Sequence, residues 1–239
     1  MGLLIHDCNN DIIANNDKPS NSILIAIPIT GYSFIHWYIL RIFRKSYFPA
    51  EGVSIVSQTF YVIRHGEASG NEPEAPLTLK GIEQVEHLVD LLIQQGLTDF
   101  SRIVASPYMR AGQTAVLLAR RLEKEMITDP RLVERNLGNA PEDRSVLLDE
   151  LRKHDENMDL RFPNGESNRE AASRVLELTR ELLGLHEGFL LITHRITMAL
   201  LIRQYEPAFS FDQMMALANS AAYSITHNND GRHHVKRIL

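Results

Sequence analysis

The sequence is poor in cysteine and has no excess of basic residues. Its 239 residues include one cysteine, Cys8, so neither an intrachain disulfide nor a cysteine-based zinc site can form. Lys and Arg total 25 against 30 Asp and Glu, which gives a formal net charge of −5. Proteins that bind nucleic acid carry a basic excess, so this balance argues against a nucleic-acid partner. The chain does contain 44% hydrophobic residues, which is typical of a folded globular domain.

Residues 1–57 differ in composition from the rest of the chain. The run 19–40 has no Asp, Glu, Lys or Arg, and as a helix it would span about 33 Å, enough for a hydrocarbon core of about 30 Å. Trp37 and Tyr38 near its end are followed by Arg41, which is the pattern of a cytoplasmic membrane boundary. A single anchor would leave the remainder of the chain in the cytoplasm, and membrane association is expected only through this run.

The same N-terminal extension has a second interpretation. Asn21, Pro28 and His36 interrupt the uncharged run, and the Asn- and Asp-rich start lacks the basic region of a signal peptide. The extension can instead reflect a coding start assigned too far upstream, with the true start near Val53 or Val56, or a loosely packed segment. This interpretation is favoured over the membrane anchor, and the working domain is expected to span residues 58–239 in the cytoplasm.

From residue 58 onward, apolar strand-like runs alternate with helical patterns. Strands are predicted at 59–63, 103–105 and 189–192. Apolar spacing and end signals predict helices between 78 and 96, around 115–122, from 141 to 151, between 167 and 184, and over 196–201. Two further runs, 222–226 and 234–238, flank an Asn-Asn-Asp-Gly turn and indicate a hairpin. The pattern predicts a three-layer α/β/α fold with a mostly parallel central sheet, helices on both faces and an antiparallel edge hairpin.

Arginines and histidines follow three of the predicted strands. Arg64 and His65 come directly after the first strand, and Arg110 lies five residues beyond the second. His194 comes two residues after the third. In parallel sheets, ligands bind at the carboxyl ends of the strands. Arginine binds phosphate with bidentate, always-charged hydrogen bonds, and a histidine beside arginines stays neutral and nucleophilic. A single such residue is more often structural, but four at one edge predict a phosphate site.

The order of these residues resembles the signature of the histidine phosphatase superfamily, in its phosphoglycerate-mutase-like branch. The resemblance covers about residues 58–227. Its motifs, in chain order, are Arg64-His65-Gly66-Glu67 with Asn71, Leu77-Thr78-Leu79-Lys80-Gly81, Ser106-Pro107 with Arg110 and Gln113-Thr114-Ala115, Leu132 with Glu134 and Gly138, Pro163-Asn164-Gly165-Glu166-Ser167, and His194.

The resemblance implies a two-step phosphoryl transfer. His65 would attack phosphorus in line and form a phosphohistidine, which water then cleaves. Arg64, Arg110 and His194 would bind the phosphate oxygens and stabilise the charge of the transition state. Glu134 would donate a proton to the leaving group and later act as the base for water.

The resemblance also implies what else the site binds. Asn71 would make a secondary contact to the phosphate or the substrate. No metal and no other cofactor is implied, and His233 and His234 in the predicted hairpin are most simply solvated. The expected partner is a small phosphorylated substrate, and sugar phosphates, nucleotides and phosphoproteins fit about equally well.

The chain departs from the family pattern at one position and in its length. The family usually has glycine after the second histidine, where this chain has Arg195. Arg195 either adds a positive group near the pocket mouth or points into solvent, and solvent is expected.

The catalytic part, about 180 residues, is shorter than a typical mutase, which must keep its phosphohistidine from water. A phosphatase is therefore expected, with a phosphoglycerate mutase as the alternative and a non-catalytic phospho-ligand or protein-binding module as the second alternative.

Overall fold

The structure is a computed structural model that describes residues 57–228 and 232–239. The N-terminal extension up to residue 56, with the candidate membrane run 19–40, lies outside the described residues. The hairpin turn at 229–231 does as well. Within the described ranges, no helix combines the length and the apolar character that a membrane crossing requires.

Strands and helices alternate along most of the described chain. The strands are β1 (Gln58–Arg64), β2 (Arg102–Ala105), β3 (Glu125–Thr128), β4 (Phe189–Thr193), β5 (Ala222–His227) and β6 (His233–Arg237). The helices are α1 (Leu79–Gln94), α2 (Met109–Leu122), α3 (Arg144–Glu156), α4 (Asn168–Leu183), α5 (Arg195–Arg203) and α6 (Phe211–Met215). A 3₁₀ turn, Pro130–Leu132, follows β3.

The strands form one sheet in the order β3-β2-β4-β1-β5-β6. Neighbours from β3 to β1 run parallel, whereas β5 and β6 form an antiparallel pair at one edge beside β1. Along β1, Phe60 and Val62 pack into the core formed with α4 and α5, and Tyr61 and Ile63 into the core formed with α1 and α2. Helices therefore cover both faces, which confirms the predicted three-layer fold and its edge hairpin.

Two helices begin at the caps that the sequence predicts. Thr78 accepts a hydrogen bond from the Gly81 N–H (3.0 Å) at the start of α1, and Ser167 forms a capping box with Glu170 at the start of α4. The buried face of α1 consists of Val85, Leu88, Val89 and Leu92, with Gly81 in the first turn. Because these caps satisfy backbone donors at the helix starts, they fix where the preceding loops end.

The sequence pattern did not predict two short elements, β3 and α6. β3 has four residues, three of them exposed, so it lacks the apolar run that marks a buried strand. α6 has five residues, too few for a helical period to show, although its capping box of Ser210 and Gln213 is a readable signal.

One helix begins later than the sequence suggests. α3 begins at Arg144 rather than near Pro141, because the Asp143 side chain accepts hydrogen bonds from the backbone N–H groups of Ser145 and Val146. The Val146 side chain, in the apolar set of the predicted helix, is 47% exposed. The carboxylate cap therefore outweighs the proline signal in setting the start of this helix.

Close packing between the loop after β1 and the first turn of α1 holds His65 in place. A Cβ atom on Gly81 would lie 2.0 Å from the Glu67 carbonyl oxygen, and one on Gly66 would lie 2.5 Å from the Gly81 carbonyl oxygen. We expect Gly81→Ala to lower the free energy of unfolding by about 1–3 kcal/mol. Gly112→Ala, at an open position of α2, is the control and should stabilise by about 0.5–1 kcal/mol. Urea unfolding measures both, and a stabilising effect of Gly81→Ala would contradict this packing.

Candidate active site

The carboxyl ends of β1, β2 and β4 lie side by side. Arg64, the last residue of β1, is paired in register with Thr193 of β4. Backbone hydrogen bonds continue beyond the strand ends, because the His65 N–H donates to the Thr193 carbonyl (3.1 Å) and the Ser106 N–H to the Ile192 carbonyl (2.9 Å). The sheet therefore brings the residues that follow these three strands to one edge.

Two hydrogen bonds hold the imidazole of His65 in one tautomer. Its Nδ1 lies 2.6 Å from the Gly66 carbonyl oxygen, which can only accept, and its Nε2 accepts from Nε of Arg110 at 3.1 Å. Nδ1 therefore carries the proton and Nε2 the lone pair. Burial, followed by the nearby His194 and the charges of Arg110 and Arg64, lowers the pKa of His65 from 6.5 to about 3. The ring is thus neutral at pH 7.

Arg110 is fixed at the start of α2 and is only 4% exposed. Its Nη1 donates to the Glu72 carbonyl oxygen at 2.8 Å, and its guanidinium lies 5.0 Å from the centre of the Tyr108 ring. One turn later, the Thr114 hydroxyl donates to the Arg110 carbonyl (2.8 Å) and accepts the Gly66 N–H (3.2 Å). These contacts join α2 to the loop after β1.

His194 lies beside His65, with their ring centres 5.0 Å apart. Its Nε2 is 2.8 Å from the Ser106 hydroxyl, whereas its Nδ1 is buried and has no hydrogen-bond partner among the described residues. Burial, followed by the charges of Arg110 and Arg64, lowers the pKa of His194 well below 6.5. The ring is therefore neutral and keeps one polar nitrogen unpaired inside the protein.

Arg64 leaves a second buried nitrogen unpaired. Its Nη1 donates to the Leu217 carbonyl oxygen at 2.5 Å, but its Nε is buried without a hydrogen-bond partner in the described part of the chain. Burial, followed by the charge of Arg195, lowers the pKa of Arg64 to about 10, so the side chain is still charged at pH 7. A buried polar atom without a partner costs about 1–3 kcal/mol, and two such atoms near His65 are expected of a site that binds an acceptor-rich ligand.

The carboxylate of Glu134 lies at the N-terminus of α5. It accepts hydrogen bonds from the Ile196 N–H (3.2 Å) and the Thr197 N–H (3.0 Å), and the Thr197 hydroxyl donates to the neighbouring Val133 carbonyl (2.9 Å). Its negative charge opposes the fall in the pKa of both Arg64 and Arg110. The carboxylate is therefore within electrostatic reach of both arginines, as its expected role in the site requires.

The expectation that Arg195 points into solvent is wrong. Its side chain is partly buried, its Nε is fully enclosed, and its charge acts on Arg64. Asn71, by contrast, lies on an exposed part of the loop between β1 and α1 and makes no hydrogen bond among the described residues. The structure thus brings five of the six expected site residues together, and the exposed Asn71 precedes Glu72, whose carbonyl oxygen accepts a hydrogen bond from Arg110.

Several contacts of the site were not predicted from the sequence. The carbonyl oxygens of Leu217 and Glu72 orient the two arginines, and a backbone carbonyl leaves no trace in a residue pattern. Thr197 holds Glu134 through its N–H and the Val133 carbonyl beside it through its hydroxyl. Its position three residues after His194 was the available signal, because that spacing places it in the first turn of the helix.

The charge of this edge suits an anion rather than a cation. Guanidinium groups and neutral imidazoles are hydrogen-bond donors for carboxylate or phosphate oxygens. No group of three or more His, Cys, Asp or Glu side chains in the described ranges is arranged to hold a metal ion. The absence of a metal requirement stays a prediction.

We expect the stability of the fold to decrease below about pH 6.5. The pKa values of His65, His154 and His194 are all lowered in the folded protein, first by burial. As the pH falls below 6.5, the unfolded chain binds protons that the folded chain does not. Each of these histidines therefore lowers the free energy of unfolding by up to about 1.4 kcal/mol per pH unit. Thermal unfolding between about pH 7.5 and 5 measures the slope. His194→Asn should reduce the slope, and a constant melting temperature would contradict the expectation.

The family profile of the histidine phosphatase superfamily (branch 1) matches residues 60–238 of this chain. A probable phosphoglycerate mutase GpmB of Proteus mirabilis is 29% identical over 186 residues, which cover 71% of this chain and 85% of the relative.

Solved structures share the fold at lower identity. A mycobacterial glucosyl-3-phosphoglycerate phosphatase superposes with a TM-score of 0.63 at 20% identity, over 76% of this chain and 98% of that chain. A phosphoglycerate mutase from Bacillus anthracis superposes with a TM-score of 0.60 at 21% identity, over 76% and 92% of the two chains. These similarities confirm the three-layer α/β fold, which accommodates phosphatases and mutases alike.

Proposed function

Since the chain belongs to branch 1 of the histidine phosphatase superfamily, we propose that it is a metal-independent phosphatase acting on small phosphomonoesters. His65 carries the phosphoryl group as a phosphohistidine. Arg64, Arg110 and His194 bind its oxygens, and Glu134 serves as the acid and then the base.

The observation that supports this proposal most strongly is the pair of unpaired buried nitrogens near His65. Arg64 Nε and His194 Nδ1 have no hydrogen-bond partners among the described residues. When the Ser106 hydroxyl donates to His194 Nε2 (2.8 Å), the remaining ring proton lies on Nδ1 and makes it a donor. The non-bridging oxygens of a phosphate provide acceptors for both nitrogens, which no described side chain does.

The first step transfers the phosphoryl group to His65. Nε2 attacks phosphorus while the bond between phosphorus and the ester oxygen breaks. The N–H at Nε of Arg110, which donates to Nε2 in the free enzyme, then donates to a phosphate oxygen instead. The guanidinium groups of Arg64 and Arg110 face the charge that gathers on the equatorial oxygens. The proton on Nδ1 remains bonded to the Gly66 carbonyl, which stabilises the positive charge that the ring acquires.

Glu134 moves the protons in both steps. In its protonated form it donates to the leaving oxygen, which departs as an alcohol, and it becomes a carboxylate held by Ile196 and Thr197. It then takes a proton from water while the water oxygen attacks phosphorus and the P–N bond breaks. Inorganic phosphate leaves and His65 returns to its neutral form. Asn71, on the exposed loop, contacts the substrate at the edge of the site.

A phosphoglycerate mutase is the second candidate, because relatives of the chain carry that name. A mutase must exclude water while the phosphohistidine waits for the second hydroxyl of its substrate. Between Glu134 and Ser167, this chain has the 13-residue helix α3 and its flanking loops. A segment this short offers little structure to exclude water from a phosphohistidine. Water is therefore favoured as the acceptor of the phosphoryl group, and a phosphatase is favoured over a mutase.

Phosphate release over a panel of phosphorylated metabolites tests the proposal, with isomerisation of 3-phosphoglycerate measured on the same enzyme. A phosphatase releases phosphate faster than it isomerises 3-phosphoglycerate, and the reverse order would identify a mutase. A third result, in which neither reaction occurs and His65→Ala binds phosphate as tightly as the wild type, would identify a binding module.

A further inference from the structure

Arg195 lies at the edge of the site, and no hydrogen-bond partner for its Nε is present among the described residues. It is the first residue of α5 and directly follows His194, and the next two N–H groups of the helix hold Glu134. Its side chain is partly buried, and its Nε is fully enclosed without a hydrogen-bond partner in the described part of the chain. A guanidinium in this position is partly desolvated, so it requires an acceptor.

Other partly or fully buried arginines pair their Nε atoms within the protein, although Nη2 of Arg203 is also buried without a partner among the described residues. Nε of Arg174 donates to the Glu166 carboxylate at 2.7 Å, and Nε of Arg203 donates to the Phe209 carbonyl at 2.7 Å. Nε of Arg135 donates to the Glu166 carbonyl at 2.8 Å. Among the described residues, the arginines with a buried and unpaired Nε are Arg64 and Arg195. The proposed phosphate accounts for Arg64 and leaves Arg195 to be explained.

The charges around Arg195 are mostly of its own sign. Burial lowers the pKa of Arg195 most, Glu134 opposes the fall, and Arg144 lowers it further. Arg195 in turn lowers the pKa of Arg64. Arg144 is the exposed first residue of α3. Arg64 and Arg144 are therefore the cations, and Glu134 the carboxylate, whose charges couple to that of Arg195.

We propose that Arg195 binds a second anionic group of the substrate. The substrate class is then a phosphomonoester that carries a carboxylate or a second phosphate, in preference to one with an uncharged alcohol. This inference rests on the proposed phosphatase function and assigns its specificity. Arg64, Arg110 and His194 hold the transferred phosphate, and Arg195 holds the group that stays with the leaving alcohol.

The test compares substrates that differ only in the second anion. 3-Phosphoglycerate and glycerol 3-phosphate differ in a carboxylate against a hydroxymethyl group, and fructose 1,6-bisphosphate and fructose 6-phosphate differ in a second phosphate. Wild-type enzyme should prefer the member with the extra anion by about tenfold or more in kcat/KM in at least one pair, and the pair that shows the preference identifies the anion.

Arg195→Met should reduce that preference about tenfold, chiefly through KM, and Arg195→Lys should retain part of it. Arg120→Met, at an exposed position of α2, is the control and should leave the preference unchanged. Melting temperatures of all variants show whether each is folded. An unchanged preference in Arg195→Met would overturn the inference. Equal losses on both members of a pair would also overturn it, because Arg195 would then act on phosphoryl transfer or on Glu134.

A binding measurement separates this inference from the proposed function. Calorimetric titration of the His65→Ala variant with 3-phosphoglycerate and glycerol 3-phosphate, and then with the two fructose phosphates, requires no turnover. If wild-type enzyme releases no phosphate but the extra anion still tightens binding through Arg195, the phosphatase proposal fails and the anion site stands. If release occurs and neither extra anion tightens binding, the anion site fails alone.

Discussion

Replacing His65 by alanine is expected to reduce phosphate release by at least about 10⁴-fold, as removal of a covalent nucleophile does in other enzymes. The variant loses the Nε2 lone pair that attacks phosphorus, and no other described side chain in the site offers a neutral nitrogen in the same place. The neighbouring imidazole of His194 cannot replace it, because its Nε2 is hydrogen-bonded to the Ser106 hydroxyl. Steady-state release from the best substrate of the panel provides the measurement.

The control for this substitution is His234→Ala. His234 is exposed in β6, so its removal tests the loss of an imidazole away from the site. It should leave kcat/KM within about twofold of the wild type, as a surface change remote from the chemistry does. Phosphate release by His65→Ala at more than about a tenth of the wild-type rate would exclude His65 as the nucleophile.

Arg110→Met is expected to lower kcat/KM by about 10²–10³-fold, the usual cost of one donor to the charge of a transition state. The guanidinium reaches His65 through Nε and the Glu72 carbonyl through Nη1, and the proposed reaction turns the Nε hydrogen bond to phosphate. Arg110→Lys should recover only a small part of the rate, because a single ammonium cannot reproduce this planar fork.

Arg120→Met is the matched control, since Arg120 is an exposed arginine of the same helix. It should have no measurable effect on kcat/KM. Comparable losses for Arg110→Met and Arg120→Met would mean that the helix, and not its buried arginine, carries the effect. A full recovery of activity by Arg110→Lys would show that charge alone is sufficient.

The sequence predicted the location of the site because that location depends on few physical rules. Short apolar runs identify buried strands, and parallel strands place their carboxyl ends at one edge. Arg64, His65 and His194 follow such strands within two residues, so the register of β1 with β4 leaves them little freedom. The position of Arg110 was harder to predict, because its approach to His65 depends on where α2 begins.

The details that sequence could not supply are those that depend on packing. The Leu217 carbonyl that orients Arg64 comes from a segment after α6, and neither the segment's path nor α6 itself is specified by a period of apolar residues. The direction of Arg195 depends on which neighbours leave room for a long side chain at the first position of α5. Burial of that side chain was therefore found only in three dimensions.

The chemical identity of the covalent intermediate tests the proposed mechanism most directly. A brief exposure of the enzyme to a ³²P-labelled substrate of the panel, quenched in alkali and followed by peptide mass spectrometry, locates the phosphoryl group. We expect an acid-labile, base-stable label on the peptide that contains His65, absent from His65→Ala. A label on another residue, or turnover with no trapped phosphoenzyme at any quench time, would contradict the mechanism.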